Sequence, residues 1–102
     1  VSLVVIKKDG TRQVFDRSKL ERGILKACEK RSVPAQAIQE MINDIENRLR
    51  SRDSIEVSSS LIGRMVMNRL KKIDKVAYIR FASVYKEFKD PEEFQEELEK
   101  LK

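Results

Sequence analysis

Apolar positions along this chain follow two rhythms, a short alternating one and a longer helical one. Val4-Val5-Ile6 is a β-branched run that breaks at Asp9-Gly10 and resumes with Val14 and Phe15. Two such runs about Asp-Gly predict a hairpin, because glycine accepts positive φ without steric cost. Asp16 then reads as the N-cap of a helix reaching about Arg31, with the stripe Leu20, Ile24, Ala27 and Cys28. Ser32-Val33-Pro34 stops it and starts a second helix, from about Pro34 to Ser51, along Ile38, Ile42, Ile45 and Leu49 with Met41 as flank. Ile55-Glu56-Val57 is too short for a helix and reads as a third strand beside the hairpin. Ser58-Ser59-Ser60 offers several caps for a third helix carrying Leu61, Ile62, Met65, Val66, Leu70 and Ile73. Beyond Asp74 a fourth helix, over 76–88, is apolar nearly all round, as expected of a central helix packed on several sides. Asp90-Pro91-Glu92-Glu93 opens a last, acidic helix with the thin stripe Phe94, Leu98 and Leu101. It can close the bundle or lie against another subunit. The sum is an α+β fold: a three-stranded sheet including an N-terminal β-hairpin over a four-helix bundle, with residues 1–90 as the domain and 91–102 as a C-terminal helical extension.

The hairpin admits two registers. A two-residue turn pairs Lys7 with Arg12 and Val5 with Val14. A three-residue turn ending in a glycine bulge pairs Lys7 with Thr11 and Val5 with Gln13. In the second, Leu3, Val5, Lys7, Thr11, Gln13 and Phe15 share one face, and Val4, Ile6 and Val14 the other. Both faces are partly apolar and need cover. One is expected on the helices; the other, with Val5, Phe15 and a terminal lysine, either holds a flat base and its phosphates or is simply more core. Lys7 and Lys8 arrive at the hairpin tip and Lys19 lies in the first turn of the following helix, a plausible phosphate setting. Lys26 and Lys30 are expected on the solvated side of that helix. Gly63, one turn into the third helix, weakens it relative to alanine and suggests close approach by another group.

Charge adds a direction. The 102 residues carry a net +5. From Glu87 onward there are seven acids and three bases, net −4; the preceding 86 residues hold nineteen bases and ten acids, net +9. Such a body favours anionic partners. The chain has one cysteine and no histidine, which excludes a disulfide framework and a zinc site within it. Cys28 falls on a buried stripe and reads as a small core residue. A reducing cytoplasmic setting is expected, with no membrane span or cleavable signal. No GxxxxGK[ST] loop, GxGxxG motif or catalytic constellation is present, so a binding module, not an enzyme, is expected.

Val5-Ile6-Lys7-Lys8-Asp9-Gly10, followed by Phe15-Asp16 and Lys19, resembles the opening of the ATP-cone, an allosteric nucleotide-binding domain. Ser59-Ser60-Leu61-Ile62-Gly63, the stretch 70–85 containing Val76-Ala77-Tyr78-Ile79-Arg80-Phe81-Ala82, and Phe88 resemble the ATP-cones of bacterial repressors of ribonucleotide reductase genes. That likeness covers nearly the whole chain. It implies a four-helix bundle capped by a three-stranded sheet, and ATP and dATP as effectors, with magnesium accompanying the nucleotide. It also implies a homo-oligomer whose assembly governs DNA binding. The repressors carry a four-cysteine zinc ribbon that this sequence does not contain, so neither zinc nor specific DNA reading carries over to this chain. ATP-cones also act as activity switches in ribonucleotide reductase large subunits, an alternative reading. A basic nucleic-acid module and a purely helical interaction domain are competing classes.

By this resemblance Val5 and Phe15 wall the base, Lys7, Lys8 and Lys19 bind phosphates, and Gln13 and Asp16 lie near base and sugar. Ser59 and Gly63 match positions that approach the nucleotide. Reductase cones tend to have histidine where Gly63 stands, which implies more room here, enough to suit a second nucleotide. Joint action of Val5, Lys7 and Phe15 selects the three-residue hairpin turn.

Overall fold

The computed structural model describes residues 2–102. Its elements are β1 (Val4–Ile6), β2 (Arg12–Val14), α1 (Arg17–Ala27), α2 (Ala35–Arg50), β3 (Glu56–Ser58), α3 (Ser59–Ile73), α4 (Lys75–Lys86) and α5 (Pro91–Glu99). The fold is α+β, with β1 at the centre of a sheet ordered β2-β1-β3. β1 runs antiparallel to β2 and parallel to β3, and α1 and α2 make the long crossover that a parallel pair requires.

The hairpin takes the three-residue turn. Val5 pairs with Gln13 and Ile6 with Arg12, and the Lys7 amide donates to the Thr11 carbonyl at 2.8 Å. Gly10 has φ +87, a left-handed conformation that favours glycine. Asp9 Oδ1 accepts from the Thr11 amide at 3.0 Å and its hydroxyl at 2.7 Å, which fixes the turn from within.

The assignment of sheet faces differs from the expectation that the Val5–Phe15 face is the one turned away from the helices. Leu3 and Val57 are buried, and Val5 and Phe15 pack against that same core. Val14, on the opposite face, is 67% exposed. The parallel register sets Val57 beside Val5, so β3 adds its apolar residue to the Val5 side. On the outer face Arg12 bonds Glu56 from one edge strand to the other.

Below the sheet, Ile24, Met41, Ile42, Leu49, Val66, Leu70, Ala77 and Ala82 are fully enclosed. The caps follow the sequence: Asp16 accepts from the Ser18 and Lys19 amides, Asp74 from Ala77 and Asp90 from Glu93. For α3 the capping side chain is Ser58, which accepts from the Leu61 amide at 3.0 Å. α1 ends at Ala27, about one turn before the expected Arg31. α4 is not packed all round: Ala77, Tyr78 and Ala82 are buried, but Val84 is 76% exposed. Its neighbours are α1, α3 and α5, which leave one side open.

α5 closes on α4 through a carboxylate rather than through its apolar stripe alone. Glu97 is 3% exposed, accepts a hydrogen bond from the Tyr78 hydroxyl, and pairs with Lys86 Nζ at 2.9 Å and Lys100 Nζ at 3.2 Å. Burial would raise this carboxyl's pKa, but the bonds from Tyr78, Lys86 and Lys100 outweigh it and hold the group below its ordinary value. Phe94 meets Phe88 edge-on at 5.7 Å and remains 40% exposed.

Candidate functional site

The inner face of the hairpin, the start of α1 and the facing sides of α3 and α4 enclose a cleft of about 1340 Å³. Val5, Lys7, Lys8, Gln13, Phe15, Asp16, Lys19, Ser59 and Gly63 all line it. The floor is apolar: Val5 and Phe15 from the sheet side, Leu20 from α1, and Ile62 and Phe81 from the helices. Chain topology gathers these groups from both halves of the sequence, because β1 places the hairpin beside β3 and β3 leads directly into α3.

Lys7 and Lys19 face one another across the hairpin–helix junction. Burial, followed by the neighbouring Lys19 ammonium, pushes the Lys7 pKa below its ordinary value. Neither lysine forms an ion pair with a carboxylate among the described residues. The Asp9 carboxylate offsets part of the repulsion between these two ammoniums, and an anion between them would remove more of it. Asp16 lies at the same place, but its Oδ1 is committed to the α1 cap, bonded to the Ser18 hydroxyl at 2.6 Å and the Ser18 amide at 3.0 Å. These bonds, the hydroxyl's first, hold its carboxyl pKa low.

Lys8 is engaged within the protein. Its Nζ lies 3.4 Å from the Tyr85 carbonyl and 5.2 Å from the centre of the Tyr85 ring, a weak strap from hairpin tip to α4. Tyr85 also explains Gly63. A Cβ at position 63 would lie 2.1 Å from a Tyr85 ring carbon, so the room implied by a missing side chain is filled by that ring. The Tyr85 hydroxyl donates to the Ser60 carbonyl at 2.7 Å, and its ring stacks with Phe81 at 6.1 Å. Phe81 and Tyr85 are thus cleft residues that the sequence reading used only for the resemblance; their spacing of four on α4 was the available signal.

Lys26 and Lys30 are exposed, as expected, and both also line the rim of the cleft. Lys26 reaches it from the last turn of α1, and Lys30 from the turn that follows the early end of that helix, where its φ is +60. Just past the end of α1 Cys28 is buried, and burial raises its thiol pKa, as suits a packing residue. No group of three or more metal-ligating side chains is assembled among the described residues. No described helix is long and apolar enough to cross a membrane.

The family model described as the ATP cone domain matches residues 3–91. Among curated proteins, the chain is 57% identical over 99 residues to the "Transcriptional repressor NrdR" of Desulforamulus reducens, covering 97% of this chain and 63% of that protein. It is 57% identical over 99 residues to the protein of the same name from Symbiobacterium thermophilum, covering 97% and 66%. The corresponding protein of Agathobacter rectalis is 50% identical over 101 residues, covering 99% and 67%. The chain therefore spans about two thirds of the length of these relatives, which are named as repressors and not as enzymes.

Proposed function

The chain belongs to the ATP-cone domain family, and from that premise we propose that it is an adenine-nucleotide sensor acting within a repressor of ribonucleotide reductase genes. ATP and dATP are the effectors, with magnesium on the phosphates, and binding proceeds without turnover. The observation that carries this reading is the adjoining Lys7 and Lys19, neither in an ion pair among the described residues, beside the apolar Val5 and Phe15. An adenine base needs a flat apolar floor, and a triphosphate needs cations with no other partner. Gln13 and Asp16 stand at the edge of that floor for base and sugar, and Ser59 and Gly63 form the opposing wall.

Nucleotide identity then selects between assemblies of the repressor. ATP and dATP differ only at the 2′-hydroxyl, so the discriminating contact lies near the ribose. One hydrogen bond is worth about 1 kcal/mol, enough to bias two assemblies of similar free energy but not to create one. DNA is gripped through a segment outside this chain, in the cytoplasm, by a homo-oligomer whose spacing the nucleotide sets. Calorimetry with ATP and dATP, run beside phosphate release and light scattering, tests the whole reading. Saturable binding, background hydrolysis and a change of mass between nucleotides are expected; steady hydrolysis overturns the sensor role, and identical mass in every nucleotide state overturns control by assembly.

A further inference from the structure

Lys30 is among the described non-glycine residues in the left-handed region, at φ +60. That conformation crowds the Cβ of an L-residue against its own backbone and is uncommon outside glycine, asparagine and aspartate. A residue keeps it only where its surroundings enforce it. Here the enforcement comes from both flanks of the turn. On one side Arg80 Nη1 reaches from α4 to donate to the Glu29 carbonyl at 2.6 Å and the Ala27 carbonyl at 3.3 Å. On the other, Arg31 Nε bonds both carboxylate oxygens of Asp74, at 3.0 and 3.1 Å, and Asp74 is itself fixed as the α4 cap. Arg80 ties residue 29 to the middle of α4, Arg31 is tied to Asp74 at the α3–α4 corner, and Lys30 is held between them.

The strained residue lines the cleft, and its ammonium has no carboxylate or carbonyl partner among the described residues. Arg80 also matters electrostatically. The carbonyls that end a helix carry partial negative charge and would repel an anion at this rim. Its guanidinium binds the Ala27 carbonyl at the end of α1 and the Glu29 carbonyl just beyond it, so Lys26 and Lys30 face less of that negative end in a cleft that Asp9, Asp16, Glu29 and Glu87 also line. The geometry points to Lys30 as a phosphate-binding residue of the cleft, with Arg80 as the residue that positions it. This assignment rests on the nucleotide reading above and extends it to the end of α1.

Two substitutions at one position separate a ligand role from a turn-forming role. Lys30→Gly removes the ammonium and relieves the left-handed strain; Lys30→Ala removes the ammonium and keeps the strain. Both should weaken ATP binding roughly tenfold, as for a lost charge-assisted contact, while AMP binding changes far less. Only Lys30→Gly should raise Tm. Arg80→Lys, which keeps the charge but cannot bridge two carbonyls, should weaken ATP in the same way and add little when combined with Lys30→Ala. If Lys30→Gly leaves ATP affinity unchanged while wild-type protein binds ATP, the residue only shapes the turn and the assignment is overturned. If wild-type protein binds no ATP, the nucleotide reading fails instead. Inorganic tripolyphosphate then decides the subsite: tighter binding by wild type than by Lys30→Gly keeps it, and equal binding removes it.

Discussion

Two clusters of charge in this molecule are built on opposite terms. Under α5, Glu97 is enclosed and every charge has an answer: Tyr78, Lys86 and Lys100 all turn to one carboxylate. At the cleft, Lys7 and Lys19 adjoin with no ion pair among the described residues, and Lys26 and Lys30 stand at the rim. The first arrangement is complete and holds two helices together. The second keeps a repulsion between Lys7 and Lys19 that Asp9 offsets in part and an incoming anion would relieve further. Satisfaction of charge, rather than its amount, separates the structural cluster from the binding one.

The comparison breaks most forcefully at Glu97. Glu97→Ala should lower stability by about 1–3 kcal/mol, because it leaves the buried Tyr78 hydroxyl without its acceptor and takes the shared partner from the partly exposed Lys86 and Lys100. ATP affinity measured on the still-folded fraction should stay within about twofold, well under one kcal/mol by the usual conversion. A large loss of both would mean that the clusters are one unit. Lys7→Ala or Lys19→Ala should do the reverse, costing about 1.5–3 kcal/mol in ATP binding by calorimetry with unfolding midpoints unchanged or slightly raised.

Acidity sharpens the contrast. The Glu97 carboxyl is held below its ordinary value, so its contribution to stability is present above the unfolded value near 4.5 and is lost as pH falls through the lower folded value. Thermal melts of Glu97→Gln should therefore lose part of the wild-type acid sensitivity. Lys7 responds at the other end of the scale. Its pKa is depressed below 10.5 by burial and then by Lys19, so ATP affinity should begin to fall at a lower pH than an ordinary lysine would dictate. The smallest effect belongs to the exposed Arg12–Glu56 pair on the outer sheet face. Arg12→Ala should change stability by at most about 1 kcal/mol in urea melts, and less in high salt.

Local chemistry was legible where one short stretch contains its own cause. Asp9-Gly10 announces the turn, and Asp16 and Asp90 announce the helices they cap. The apolar alternation of Leu3, Val5 and Phe15 marked a face but not which way it turned, because that depends on Val57, fifty-two positions after Val5. The end of α1 was placed too late, since no glycine or proline stands between Ala27 and Ser32 and the polar turn continues a solvated helical face. The turn that places Lys30 at the cleft rim was hidden by that continuity. Glu97 was unreadable for a different reason: it is one of several acids in α5, and its burial is set by Tyr78 and Lys86 on another helix.

The central position of β1 has a consequence for the order in which the molecule can be assembled. One neighbour of β1 follows after a tight turn, but the other arrives only after α1 and α2 have been traversed. The cleft inherits that separation, with walls from residues 5–30, 59–63 and 80–87. Contacts between such distant segments carry the greatest loop-closure entropy and form slowly. A molecule lodged among them spans the joint between the early hairpin and the late helices, and recognises only the finished chain. A ligand bound there would act as a reversible staple, stabilising the folded chain in step with its free concentration.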